Sequence, residues 1–162
     1  MKTDVKNVRL ILSDVQSGAN ADLIEYLEVD PFDRNSGYVI RAIELMLEPT
    51  DIVDIAADAH ILVQVFASSD TVPTTEYAIG DKHIICQFGV SLALTTSGVA
   101  VIESPKLWVP PDGVDVIVGA ENLGVIVATA GLTSPLLFAA FVYGDAVTLT
   151  ADEIATSRLR FT

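Results

Sequence analysis

The stretch from Trp108 to Glu153, WVPPDGVDVIVGAENLGVIVATAGLTSPLLFAAFVYGDAVTLTADE, decides how the rest of the chain is read. Val114, Val116 and Val118 alternate with Asp115, the period-two pattern of a half-buried strand. Pro110-Pro111-Asp112-Gly113 just before it is a turn signal, because Pro presets φ and Gly accepts a positive φ. Glu121-Asn122-Leu123-Gly124 reads as a hairpin-type connection into a strand from Val125 to Thr129. Leu136 to Tyr143 is apolar on both faces and is expected at the centre of a sheet, with Gly144-Asp145 turning the chain into Ala146 to Leu149. Thr150 and Glu153 stand at capping-box spacing, where their side chains satisfy the first orphan amides of a short terminal helix.

Working outward, Asn7 to Ser13 reads as a first strand, followed by a turn at Ser17-Gly18-Ala19-Asn20. Ala21 to Val29 fits a helix face and a sheet edge equally well. Asp30-Pro31 and Arg34-Asn35-Ser36-Gly37 break the chain. Tyr38 to Leu47 is taken as a long strand with Val39, Ile43, Leu45 and Leu47 on one face, ending at Glu48-Pro49-Thr50. Asp51 to Ala59 is expected to form a short helix, and Ile61 to Ser68 a strand apolar on both faces. After a polar loop from Ser68 to Lys82 comes a strand from Ile84 to Leu94, with Gly89 as its expected bulge or bend. Val99 to Ile102 and Leu107 to Val109 are shorter. Eight to ten strands with turn residues between them, one or two short helices and no fixed repeat point to an all-β fold. The expected architecture is an antiparallel β-sandwich, a single jelly-roll domain over residues 1–162.

Composition narrows the function. Hydrophobic residues make up 51% of the chain, and the mean hydropathy is +0.49. Such a chain enters a membrane or hides extra apolar surface against partners. Two uncharged runs, Ile84 to Ile102 and Asn122 to Gly144, are long enough to span a bilayer as helices. Both are interrupted by turn clusters, Thr95-Thr96-Ser97-Gly98 and Leu132-Thr133-Ser134-Pro135, and both are rich in residues that suit strands. No Lys/Arg cluster flanks either one to set an orientation, so a membrane is not indicated. Lys and Arg number 9 against 22 Asp and Glu, a formal charge of −13. That balance argues against nucleic-acid backbones and anionic membrane surfaces. It suits solubility in concentrated salt, where self-repulsion is screened, and so fits a halophilic source. A single cysteine, Cys86, excludes an internal disulfide and sits in an apolar run expected to bury it. The N-terminal residues MKTDVKNVRLILSD lack the apolar core of a secretory signal.

No residue is singled out as catalytic, cofactor-binding or metal-ligating. His60 and His83 each precede an apolar strand, as metal ligands at a barrel mouth would, but neither belongs to a His-x-His pair with a nearby Glu. Asp51, Asp54 and Asp58 share one face if that segment is helical, a spacing more typical of a solvated face than of a cation site. Phe32 and Arg34 interrupt the alternate oxygen ligands that a calcium loop over Asp30–Gly37 would need. Ser97, Ser134 and Ser157 lack a nucleophile elbow. Trp108, Tyr26, Tyr38, Tyr77 and Tyr143 are candidates for a sugar-stacking platform or for core packing.

Trp108-Val109-Pro110, the Pro/Asp/Gly turn, Val114–Val118, Gly119-Ala120-Glu121-Asn122, Phe141-Val142-Tyr143-Gly144 and Thr150-x-x-Glu153 together form a pattern. It resembles the closing strands of small jelly-roll virion structural proteins from prokaryotic and archaeal icosahedral viruses. The resemblance covers about the last third of the chain, and it implies a capsid, turret or decoration subunit without an active site or cofactor. Its partners would be further copies of itself and other virion proteins, with a host-surface glycan for a spike-like role. Three loops are then expected to meet neighbouring copies: Ser68–Lys82, Ser104–Gly113 and Gly131–Pro135. A carbohydrate- or receptor-binding β-sandwich is the runner-up, and a metal-dependent cupin-type enzyme the third reading.

Overall fold

The computed structural model describes residues 2–16, 22–28, 35–49, 55–68, 73–91, 106–119, 122–132 and 136–160. The described chain holds nine strands and one helix. They are β1 (Lys2–Gln16), β2 (Asp22–Glu28), β3 (Ser36–Pro49), β4 (Ile55–Ser68), β5 (Ile84–Ser91), β6 (Lys106–Trp108), β7 (Val116–Val118), β8 (Asn122–Leu132), β9 (Leu136–Thr148) and α1 (Ala151–Arg160). All strand pairs are antiparallel.

The pairing order identifies the fold. One sheet runs β1-β9-β3-β6, with β7 also on β3, and the other runs β2-β8-β4-β5. First pairs with last, second with second-last, and β4 with β5. This is a long hairpin rolled over on itself, the jelly roll. β6 pairs with Ile43–Leu45 and β7 with Tyr38–Ile40, so the two short strands share the place of one, interrupted by residues 109–115. Val114 N–H donates to the Pro111 carbonyl at 3.0 Å and closes the expected turn there, with Gly113 at φ +78°.

Alternation builds one core between the sheets. Leu12, Ile43, Leu45, Phe138, Ala140 and Val142 from the five-stranded sheet meet Ile61, Val63, Val65, Phe88, Leu123, Val125 and Val127 from the four-stranded sheet. Burying side chains of this size stabilises by about 1.5–3 kcal/mol each. Cys86 lies in this core, and burial pushes its thiol pKa to about 12.

Four sequence expectations are corrected. Residues 55–59 are extended within β4 instead of forming a helix: Ile55 pairs with Leu132 and His60 with Ala130, with a register shift between them, so pairing at either end outweighs the helix propensity of an Ala-rich segment. Gly144 and Asp145 lie inside β9, not at a turn. A Cβ on Gly144 would stand 2.2 Å from the Val39 carbonyl and 2.6 Å from the Tyr38 ring, so glycine is required by close approach. Both neighbouring strands bulge beside it, between Val5 and Val8 and between Ile40 and Ala42. Asn122–Gly124 is not a hairpin connection, since β7 and β8 belong to different sheets. Finally, the irregularity in β5 falls at Ile85, between Cys86 and Ile84, and Gly89 pairs regularly with Leu62. The expected turns at Ser17–Asn20 and Asp30–Pro31, and the strand at Val99–Ile102, lie outside the described residues. Among the described residues, no helix is long and apolar enough to cross a membrane.

Candidate functional site

The outer faces of the two sheets differ in what lies on them. On the four-stranded sheet, Gln64 and Phe66 of β4 point away from the core yet are fully buried. The segment 73–83 covers them. Gln64 Nε2 donates to the Tyr77 carbonyl at 2.8 Å, and Tyr77 N–H donates to Gln64 Oε1 at 2.9 Å. One amide side chain thus serves both backbone groups of a loop residue. Gln64 Nε2 also donates to Gln87 Oε1 at 3.1 Å. The Tyr77 ring stands edge-on to Phe66, centroids 5.7 Å apart, and stacks on His83 at 4.9 Å. His83 N–H donates to Asp81 Oδ1, and its Nδ1 lies 2.7 Å from the same oxygen. The His83 backbone bond, then its ring, hold the Asp81 carboxyl below the usual range.

On the five-stranded sheet, α1 covers one end. Val39, Val147 and Leu149 form a second small core there, with Ile117 and Ile154 against it. Leu149 fills a slot beside Gly37 and Gly119, where an added Cβ would come within 2.4 and 2.8 Å of its side chain. The expected capping box is present: Glu153 Oε2 accepts from Thr150 N–H at 2.8 Å, and Glu153 N–H donates to Thr150 Oγ1 at 3.4 Å. Ser157 is buried; its Oγ accepts from Gly119 N–H at 2.9 Å and donates to the Ile117 carbonyl at 3.3 Å.

Arg41, at the bulge of β3, reaches Asp115 Oδ1 at 2.9 Å and Asp145 Oδ2 at 3.2 Å. Asp145 also accepts from Asn7 N–H at 3.1 Å, and this bond first, then Arg41, lowers its pKa. Tyr38 directs its hydroxyl to the carbonyls of Val8 and, at 3.1 Å, Val142. Burial and then the charge of Asp145 raise its phenol to about 12. These groups bind the bulged region of three strands together.

Among the described residues, those weighed for chemistry do not converge. His83 pairs through its carbonyl with Ala67, whereas His60 lies opposite Ser91. His60 and Ala67 are seven steps apart on β4, about 23 Å of strand, so the two histidines stand at opposite ends of the β4–β5 pair. Asp58 stands on a strand, so no helix face joins it to Asp51 and Asp54, which lie outside the described residues. Ser97, Ser134 and residues 30–34 lie outside them as well. The aromatics are dispersed: Tyr38 is core, Trp108 packs against the core, and Tyr77 is held under its own loop. Tyr143 donates to Glu44 Oε2 at 2.9 Å on the outer face of the five-stranded sheet.

Sequence reasoning missed that outer face. Beyond the part under α1, apolar side chains on this face are exposed among the described residues: Ile11 and Met46 are each 48% exposed, Leu107 67% and Leu137 38%. Register was the missing signal, since these four residues come from four segments far apart in sequence. A shallow groove of about 340 Å³ on the other sheet is lined by His60, Glu76 and Thr129 over Gly89, Ala128 and Ala130.

No protein-family model matches the chain, and no curated protein matches it. Among solved structures, it is similar to Merkel cell polyomavirus VP1 in complex with 3'-sialyllactosamine, with a TM-score of 0.43 and 8% identity over 91% of this chain and 99% of that one. Cocksfoot mottle virus gives a TM-score of 0.42 at 8% identity, over 95% and 100%. Dimeric latent PorU from Porphyromonas gingivalis gives 0.43 at 8% identity; 88% of this chain is covered, which spans only 13% of PorU.

Proposed function

We propose that this chain is a virion structural subunit, a single jelly-roll domain that assembles with copies of itself and with other virion proteins and carries out no catalysis. The observation behind the reading is where apolar side chains lie outside the core. Ile79 at the tip of the 73–83 loop is 87% exposed, and Val109 and Val114 around the Pro/Asp/Gly turn are 57% and 45% exposed. These are two of the three loops expected to meet neighbours. A chain of 51% hydrophobic residues that leaves such side chains in water is built for further contacts. The formal charge of −13 makes copies repel one another at low ionic strength. Assembly is therefore expected to strengthen as salt screens that repulsion. Mass photometry and sedimentation across protein and salt concentration test the reading: a strict monomer at high concentration in high salt would reject it.

A glycan-binding module is the second reading, resting on the groove rimmed by His60, Glu76 and Thr129. Retention on a glycan array that disappears in Glu76→Ala would select it.

A further inference from the structure

The outer face of the five-stranded sheet has an internal order that the loops lack. Ile11 of β1, Phe141 of β9, Glu44 of β3 and Leu107 of β6 stand in one row across the four strands. The next row toward one end holds Ser13, Ala139 and Met46, and the next toward the other end Arg9, Tyr143 and Ala42. Their immediate neighbours along each strand, including Leu12, Ile43, Leu45, Ala140 and Val142, are core residues. Strand alternation therefore sends all of these rows outward. Within these three rows two described side chains carry charge, and the Arg41–Asp145 pair lies beyond them toward α1. Arg9 lies over the Phe141 ring, 5.5 Å from its centroid, and Glu44 accepts from Tyr143. A chain with a formal charge of −13 keeps this surface apolar, with one charge of each sign. Depletion of charge at the centre of a patch is the compositional mark of an interface.

The placement of those two charges identifies the occupant. Arg9 is on β1 and Glu44 on β3, the two strands flanking central β9. Rotating a second copy by 180° about an axis lying along β9, in the plane of contact, exchanges the β1 side with the β3 side. Arg9 of each copy then lies above Glu44 of the other, offset by one row, about 7 Å along the strand, within reach of the two side chains. The same rotation lays Ile11 of each copy over Glu44 of the other, since both stand in the Phe141 row, and brings Met46 one row from Ile11. A surface with this property is self-complementary, as a two-fold contact requires.

We propose that the outer face of the five-stranded sheet is a two-fold contact between copies of this chain, with Arg9 of each copy pairing with Glu44 of the other. The proposal rests on the self-assembly reading above and adds the surface. The patch spans four strands and five residues of β9, roughly 19 by 17 Å, the scale of a weak contact. It therefore contributes to assembly at high protein concentration and is not a tight isolated dimer.

The test uses the full chain in salt high enough to screen the net charge. Arg9→Glu and Glu44→Arg are each expected to weaken self-association by about tenfold or more, since each homodimer then juxtaposes like charges twice. Mixing the two variants restores association as a heterodimer, because both contacts become complementary again. Within one protomer, neither substitution can do that. Leu107→Glu, at a site 67% exposed, should also weaken association while circular dichroism stays unchanged. If the wild type associates but neither the charge reversals nor Leu107→Glu alter it, or if mixing rescues nothing, this surface is wrong and assembly proceeds elsewhere. If the wild type never associates, the functional reading falls and takes this contact with it.

Discussion

The two sheets are covered from outside by different devices. The four-stranded sheet is covered by irregular chain, residues 73–83, and the five-stranded sheet by a helix, α1. Irregular chain has backbone groups without partners of its own, so its cover depends on Gln64, a buried polar side chain aimed at Tyr77. A helix satisfies its interior backbone and needs help only at its ends. Its cover therefore depends on a cap at Thr150 and on apolar contacts to Val39 and Val147. The helix also leaves the rest of its sheet bare, where Ile11, Met46 and Leu107 are exposed. One cover is sensitive to loss of a hydrogen-bonding side chain, and the other to loss of apolar volume and a cap.

That contrast can be broken from either side. The largest effect is expected for Phe66→Ala, which empties the floor beneath Tyr77 and should cost about 3–5 kcal/mol in urea unfolding. Gln64→Leu follows: it keeps the volume but removes both Gln64 bonds to the Tyr77 backbone, at about 1–3 kcal/mol for the two. In Gln64→Leu, hydrogen exchange should accelerate at residues 73–83 and stay unchanged in α1. Equal acceleration in both covers would show that they are coupled, contrary to the comparison. On the other sheet, Ser157→Ala removes the bonds to Gly119 and Ile117, at about 1–2 kcal/mol. Thr150→Ala removes the cap at about 1 kcal/mol. Both should expose the C-terminal segment to proteolysis without affecting residues 73–83.

The smallest effect is a pH dependence of the loop. The Asp81 carboxyl titrates below its ordinary value because His83 donates to it. A carboxyl lowered in the folded state adds stability above its unfolded pKa and loses it as pH falls through the folded value. Asp81→Asn should therefore lower stability slightly at neutral pH and flatten the curve only below about pH 3.8, the ordinary carboxyl value. Cys86 reports the same opening chemically: with its pKa near 12 and its side chain buried, alkylation at pH 8 should track unfolding of the β4–β5 pair.

Strand identity was largely legible. Alternation at Val116–Val118 and the two-faced apolar runs at Ile61–Ser68 and Leu136–Tyr143 all lie in strands, and the run at Thr150–Glu153 caps a helix. Legibility failed where local preference and tertiary contact disagree. The Ala-rich segment before His60 looks helical by propensity but is held extended by β8 pairs at Ile55 and His60 on either side of an irregularity. Gly144-Asp145 looks like a turn, yet this glycine is selected by a carbonyl 2.2 Å from where its Cβ would be. Gln64 sits inside the run Ile61–Ser68, read as apolar on both faces, with nothing beside it to show what its amide meets. Its burial depends on a loop that begins after the strand ends, and no window around Gln64 contains that information.

The amino-acid order by itself determined the kind of fold: extended segments, short turns and one capped helix, because a period of two and a capping spacing are properties of neighbouring residues. Which strand lies beside which, and so which apolar residues are buried and which form the bare row from Ile11 to Leu107, was decided only when the chain rolled up. Pairing first strand with last joins residues more than a hundred positions apart, and a contact of that range depends on the closure of the whole sandwich, which local sequence does not encode.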